Sequence, residues 1–563
     1  MNSHTAETAT RFKSRFIGFL LASLTLFEQA VGSMRCWWWI SVGCAGILAW
    51  SARHAMNPDG LSYLDLASEA LIQGPAELVN AHWSPGYPAL IGVALLVFRP
   101  SPAQEVPLVH FSNVLIFLST VSAFSFFLRL WLSVTFQGEA IDDKKKYVLP
   151  FAFATFLFFT LQFIGVSTVT PDLGVAAIVF LAAGITCRLS LPGSRWTHYL
   201  ALGTVLGVGY YLKAAMLPLG MALLSILLFL PRSDGGHRKK LLLSFSIFCL
   251  IAAPLIVAIS GRIGRLSFSE AGWHNYGGVV KRLEHPPHKL MERPLVIDFA
   301  SPVKGTYPLH YDPGYWFAGT TVRFDLRGQV MALKMNLREF RKMISQSAVL
   351  VYAALTLCIF LIDRKLYPIL PKNQWWLFVW PLTAFAMYLL VHVEPRYVGA
   401  FFVLLWVTVY GALICRLDRL VTKAVCTTVV FALLIPPAVD LAVTSVGMVQ
   451  ELSRSRQADY QIIATALNSL GVRKGDSLAV VGPGYDSYYA RFAGLRVLGE
   501  MPNTEEFWRL STPELEDVAE RLASIGIKAV VAWNRPDTAA VADWSEFKIS
   551  DSLRFSVLLL ASE

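Results

Sequence analysis

Charge is scarce in this chain. Of 563 residues only 16% are charged, 55% are hydrophobic, and mean hydropathy is +0.50. That excludes a single water-soluble globule, because too little polar surface is available to cover the apolar residues. Cysteine pairing is missing as well. The seven cysteines (Cys36, Cys44, Cys187, Cys249, Cys358, Cys415 and Cys426) lie within or beside apolar runs and none forms a CxxC pair. Neither a disulfide framework nor a zinc site is suggested. His274, His285, His288 and His310 share one loop, yet no two have the i,i+4 spacing of a helical metal pair, which disfavours a histidine metal site. Val480-Val481-Gly482-Pro483-Gly484 lacks the third glycine of a dinucleotide loop and reads as a turn. No internal repeat is visible, which argues against the repeat-built transporters. A small-x-small cleavage site is also wanting after the apolar stretch 16–27, where Glu28 follows at once. With Arg11, Lys13 and Arg15 ahead of it, that stretch reads as an interfacial helix within a cytoplasmic segment, 1–36.

What the chain does have is long apolar runs. Eleven of near-spanning length occur at about 37–53, 107–132, 148–166, 173–190, 198–212, 214–230, 241–260, 346–362, 375–391, 398–415 and 424–446. The run 87–98 is too short and is expected to lie along the outer face as an amphipathic helix. The net charge of +10 collects in short loops, in Lys144-Lys145-Lys146, Arg188/Arg195, Arg232/Arg238/Lys239/Lys240, Arg364/Lys365/Lys372 and Arg416/Arg419/Lys423. A cytoplasmic N-terminus puts all of these inside, as the positive-inside rule requires, so the charge orients helices and does not mark a nucleic-acid partner. Two outer loops, about 53–106 and 261–345, are too long to be mere connectors. From about 450 the pattern changes. Short strands at 478–481, 528–533 and 555–560 and a helix at 513–525 suggest a small α/β domain, 450–563, on the outer side. The expected fold class is therefore an α-helical polytopic membrane protein with about eleven transmembrane helices (37–449) and a small C-terminal α/β extramembrane domain.

Four charged positions stand on the outer side of that topology. Asp59, in Asn57-Pro58-Asp59-Gly60, opens a helical pattern and has an ordinary reading as an N-cap. Asp172, in Thr170-Pro171-Asp172, could equally cap a helix after proline. Lys213 sits between two apolar runs, either snorkelling to headgroups or meeting a phosphate. Arg396, in His392-Val393-Glu394-Pro395-Arg396-Tyr397, could be neutralised by Glu394 at the interface, or could offer its fork to a phosphate.

The first long loop carries Asp59, Tyr63 and Ala67 at successive intervals of four and continues through His82-Trp83-Ser84-Pro85-Gly86-Tyr87-Pro88. This arrangement, with Thr170-Pro171-Asp172 and Arg396-Tyr397, resembles the GT-C superfamily of polytopic glycosyltransferases, of the protein mannosyltransferase and aminoarabinose transferase kind. The family's usual Pro-Leu-Tyr-Pro is altered here to Pro-Gly-Tyr-Pro. The resemblance implies a membrane enzyme that moves a sugar from a polyprenyl-phosphate donor to a lipid, glycan or protein acceptor on the outer face. It implies Asp59 and Asp172 as catalytic carboxylates; Lys213 and Arg396, the available outer-side cations, are then the expected donor-phosphate ligands, with Tyr63, His82, Glu394 and Tyr397 expected around the substrate. A divalent metal ion is an open possibility that family members use differently. The lack of a cysteine framework and of an ER-retrieval C-terminus favours a bacterial inner membrane with the C-terminal domain in the periplasm. The competing readings are a transporter or lipid flippase and a noncatalytic assembly protein.

Overall fold

The computed structural model describes residues 32–136, 139–230, 236–281, 289–299, 304–314, 323–363, 374–454, 458–536, 543–549 and 553–560. The expected interfacial helix at 16–27, the histidines His285 and His288, and the basic residues Arg232, Arg364, Lys365 and Lys372 lie outside them.

Every one of the eleven apolar runs forms a helix. With the helices of the two long loops included, the order is α1 (Met34–Ser51), α2 (Pro58–Gln73), α3 (Gly86–Phe98), α4 (Pro102–Thr135), α5 (Glu139–Phe159), α6 (Asp172–Ser190), α7 (Trp196–Leu212), α8 (Met216–Leu228), α9 (His237–Ile263), α10 (Leu326–Gln346), α11 (Ala348–Asp363), α12 (Trp376–Val391), α13 (Pro395–Ile414) and α14 (Arg419–Arg454). Six of these, α4, α5, α6, α9, α13 and α14, are long and apolar enough to cross a bilayer unaided. The pair α10 and α11, bent by 74°, makes a seventh if it acts as one span. The remaining runs, α1, α7, α8 and α12, are helices of 18, 17, 13 and 16 residues, consistent with the higher count without fixing it.

The inside of the bundle is aromatic. Phe117, Phe124, Phe127, Phe153, Phe156 and Phe180 are buried where α4, α5 and α6 meet, and Phe124 stacks on Phe156 with centroids 4.5 Å apart. Outward faces are apolar too. Leu242, Leu250 and Val257 on α9, and Phe431, Ile435, Val439, Val443 and Val446 on α14, are exposed stripes of the kind lipid covers. Helix α3 departs from expectation in one respect. It buries Tyr87, Ile91 and Leu95 on one face but exposes Leu90, Val93 and Val97 on the other, so it is apolar all round and not amphipathic. One side packs on protein and the other is left for hydrocarbon.

Beyond α14 come α15 (Asp459–Ser469), α16 (Tyr488–Ala493) and α17 (Thr512–Ser524), around a seven-stranded sheet. Its strands are β1 (Lys289–Glu292), β2 (Leu295–Asp298), β3 (Ser477–Val481), β4 (Arg496–Met501), β5 (Ile527–Trp533), β6 (Ser545–Lys548) and β7 (Arg554–Leu559). The spatial order is β1-β2-β4-β3-β5-β7-β6, with β3 parallel to β4 and β5 and the other pairs antiparallel. The central strand β3 is buried from Leu478 to Val481, as its continuous apolar run requires. The sheet is wider than the C-terminal segment. Its β1–β2 hairpin comes from the second long loop and joins through Ile297 opposite Glu500 and Asp298 opposite Gly499. Residues 289–298 of that loop are thereby part of the sheet of the terminal domain.

Candidate active site

The four charged positions singled out in the sequence each stand at a helix end. Asp59 is in the first turn of α2, Asp172 opens α6, Lys213 follows α7, and Arg396 is the second residue of α13. Neither carboxylate is an N-cap: those positions belong to Asn57 and Pro171. All four line one cavity of about 930 Å³, together with Tyr63, His82 and Tyr397. Glu394 does not. It lines a smaller neighbouring cavity with Asn57 and Pro58 and reaches Arg396 from that side.

Local sequence explains the convergence. Asn57 bonds the backbone of Val169 twice, accepting from its N–H at 2.8 Å and donating to its carbonyl at 3.3 Å. Gly60 permits the same approach, because a Cβ there would lie 2.7 Å from that of Val169. The start of α2 is thus pinned to the loop that leads into Asp172. Gly86 does the equivalent for Lys213: a Cβ would come within 2.7 Å of the Tyr211 carbonyl oxygen, so only glycine lets α3 press against that turn.

The charges interlock. Arg396 Nη1 donates to Asp59 Oδ2 at 2.9 Å and Nε donates to Glu394 Oε2 at 2.5 Å, while Nε also stands 3.7 Å from Asp172 Oδ2. Lys213 Nζ donates to Asp172 Oδ1 at 2.5 Å and lies 3.5 Å from the centre of the Tyr397 ring, a cation–π contact. Burial pushes the Lys213 ammonium below the usual lysine value, with the Asp172 charge opposing the shift. Burial would raise Glu394, but hydrogen bonds from His392 and Arg396 outweigh it and hold the carboxyl at about 2. The Asp172 side chain is only 2% exposed, and its Oδ2 has no hydrogen-bond partner.

The rest of the wall is aromatic. Tyr63 meets Trp83 and Tyr87 edge to face at 5.0 and 5.1 Å. His82 and His274 stack with their Nδ1 atoms 3.0 Å apart, so one ring donates a hydrogen bond to the other. Burial, with His274 and His310 nearby, pushes His82 well below the ordinary histidine value. The second long loop contributes Trp273 and Asn275. His310, weighed in the sequence as a metal-ligand candidate, stands close to Asp59. Its Nδ1 is 2.8 Å from Ser62 Oγ and its Nε2 is 3.9 Å from Asp59 Oδ1. Tyr388 and His392 also line the cavity and were not foreseen.

Among the described residues no group of three or more His, Cys, Asp or Glu side chains is arranged to hold a metal ion. Asp59 and Asp172 face Arg396 and Lys213, which already supply the positive charge an ion would bring. The donor set does not fit a divalent ion.

No family model and no curated protein matches the sequence. The architecture does have solved relatives. ArnT from Cupriavidus metallidurans in the apo state superposes with a TM-score of 0.52 at 12% identity, over 94% of this chain and 99% of that one. The same protein bound to undecaprenyl phosphate gives 0.52 at 13% identity, over 96% and 98%. The chain shares the fold of ArnT. At 94–96% of this chain, the likeness takes in most of the C-terminal sheet as well as the membrane helices. The Archaeoglobus fulgidus oligosaccharyltransferase aligns more loosely, with a TM-score of 0.48 at 12% identity over 89% of this chain and 67% of that one.

Proposed function

We propose that the protein is an integral membrane glycosyltransferase, which transfers a sugar from a polyprenyl-phosphate donor to a lipid, glycan or protein acceptor at the outer face of a bacterial inner membrane. The observation that carries this reading is the meeting of two carboxylates and two cations, from four separate helix ends, on one large cavity walled by tyrosine, tryptophan and histidine. Aromatic faces suit sugar rings, and a forked guanidinium beside an ammonium suits a phosphate. The binding of undecaprenyl phosphate by ArnT, on the same fold, supports the donor class.

In this reading Asp59 is the general base. Its Oδ2 is occupied by Arg396, which leaves Oδ1 to accept the proton of the acceptor hydroxyl. As the acceptor's hydroxyl oxygen bonds to the anomeric carbon, the bond from carbon to phosphate oxygen breaks on the opposite face. The electron pair leaves with the polyprenyl phosphate, and Lys213 and Arg396 meet its charge. Asp172 holds Lys213 in place while the cavity is empty and yields it to the phosphate on binding. Glu394 and His392 fix the Arg396 fork from behind, and Tyr63, His82 and Tyr397 shape the sugar pocket.

The test is transfer from a labelled polyprenyl-phosphate sugar by the purified protein in vesicles. Asp59→Asn is expected to lower turnover by roughly 10²- to 10⁴-fold, the range for loss of a positioned base. Undiminished turnover in that variant rules out Asp59 as the base. Movement of a lipid-linked sugar across the bilayer without any glycosyl transfer points instead to a flippase.

A further inference from the structure

Helix α2 carries a second buried carboxylate, Asp65, that the chemistry above does not use. Its side chain is 4% exposed and lies against Arg491, on α16 of the C-terminal domain, whose side chain is 12% exposed. Arg491 is almost fully bonded. Nη1 donates to Asp65 Oδ1 at 2.6 Å, Nη2 to Ser68 Oγ at 2.8 Å and Glu105 Oε1 at 3.0 Å, and Nε to Glu105 Oε2 at 3.0 Å. One side chain of the terminal domain therefore ties α2 to the start of α4.

Asp65 also holds the second long loop. Its Oδ2 accepts from the Thr306 N–H at 2.7 Å and its Oδ1 from the Thr306 hydroxyl at 3.0 Å. The sheet grips the same segment from the other side: Val497 N–H donates to the Thr306 carbonyl at 2.8 Å, and the Tyr307 hydroxyl donates to Glu500. Thr306 is one helical turn before His310. The His310 carbonyl accepts from Ser62 Oγ and from Trp83 Nε1, both at 2.9 Å. The imidazole is left facing Asp59 Oδ1 at 3.9 Å, with its Nδ1 on Ser62. Segment 304–311 is thus wedged between the sheet and α2, and its position against Asp59 depends on both.

We infer that the C-terminal domain is a positioning element of the candidate active site, in which Arg491, through Asp65 and Thr306, sets His310 against Asp59. The inference rests on the glycosyltransferase reading for its catalytic consequence but not for its structural one. Arg491 touches no reacting group and acts only through α2 and the 304–311 segment. A saturated buried guanidinium suits this role because it fixes distance and angle at once, which a flexible ammonium does not. The functional side of the argument is that displacing a catalytic group by about 1 Å costs roughly 10²-fold in rate.

The experiment compares full-length wild type, Arg491→Met, Arg491→Lys and Arg521→Ala in vesicles by hydrogen exchange, undecaprenyl-phosphate binding and sugar transfer. In R491M, exchange at 58–67 and 304–311 is expected to quicken by about tenfold, while α6 is unchanged. Its kcat is expected to fall by roughly 30- to 100-fold with donor-lipid binding within about twofold, because the lost bonds orient and do not bind. R491K should recover part of the rate, and R521A, an exposed pair on the same domain, none of the loss. Unchanged exchange in the two segments overturns the inference, as does a loss spread evenly over the bundle or confined to donor binding. Should R491M fail to fold, Thr306→Val, which removes one bond to Asp65 at nearly constant volume, is read by the same criteria. Quickened exchange with no sugar transfer even in wild type overturns the functional reading and leaves the positioning role standing.

Discussion

Helix α2 delivers two carboxylates into two charge clusters, one half-buried around Asp59 and one buried around Asp65, and the clusters are built oppositely. Around Asp59, Arg396 and Lys213 are shared among three carboxylates, Asp172 Oδ2 accepts no hydrogen bond, and the group faces a cavity of about 930 Å³. Around Asp65, Arg491 places its bonds on two carboxylates and a hydroxyl, both Asp65 oxygens are used, and none of the charged members lines that cavity. Burying ions is costly in either case, and hydrogen bonds to every carboxylate oxygen offset that cost only in the second. The lesson is that open bonding capacity, and not burial or charge alone, separates a site that exchanges partners from one that fixes geometry.

The sharpest way to break the comparison is Arg396→Met. It leaves the buried Asp172 and the half-buried Asp59 and Glu394 without their shared cation, and should cost about 1–3 kcal/mol of folded stability, less than a fully buried orphaned charge. The midpoint of thermal unfolding in detergent reads this, and transfer should vanish with it. Lys213→Met comes next. Loss of the one ammonium that Asp172 holds should weaken undecaprenyl-phosphate binding by about 30-fold or more, as for truncation of a desolvated charge pair. Lys304→Met, whose partner Glu77 is away from the cavity, should leave that affinity alone. Equal effects from the two lysines would erase the distinction between the clusters.

A pH titration gives a smaller effect of fixed sign. Glu394 is held at about 2 in the folded protein, below the ordinary value near 4.5 that it regains on unfolding. The folded state therefore binds fewer protons in this window, so the Glu394 contribution is complete above about 4.5 and is lost as pH falls toward 2. Glu394→Gln should flatten the acid limb of the stability profile between those values, and an unaltered limb would show that its ties to His392 and Arg396 do not bear on folding. The smallest effect belongs to Arg521→Ala. Its i,i+4 pair with Asp517 is half exposed, and removing it should change stability by no more than about 0.5 kcal/mol.

How much of this was legible in the sequence depends on the range of the interaction. Apolar length alone located all eleven bundle helices, because lipid and packing impose it residue by residue. Loop charge set Asp59, Asp172, Lys213 and Arg396 on one side, and the structure brings these four together. Strands β3, β5 and β7 announced themselves as apolar runs. Strands β1 and β2 did not: four residues each carry no periodic signal, and the pairing of β2 with β4 spans roughly two hundred residues. Arg491 and Asp65 look like ordinary charges in helices, and only the folded chain shows them bonded. His310 was visible as a residue but not as a neighbour of Asp59, since nothing local ties 310 to 59. Glu394 was read as a substrate ligand, whereas its bond to Arg396 also realises the plainer reading of a neutralising partner.

The rim of the large cavity carries one more consequence. Leu266, Phe268 and Trp273 line that cavity and stand exposed. A mouth edged in this way draws on a film and not on a volume. For any occupant with a hydrocarbon tail, the controlling quantity is its number per unit area of bilayer, and the apparent saturation constant becomes a mole fraction. Adding inert carrier lipid at constant protein and constant substrate should then slow turnover, although no bulk concentration has changed.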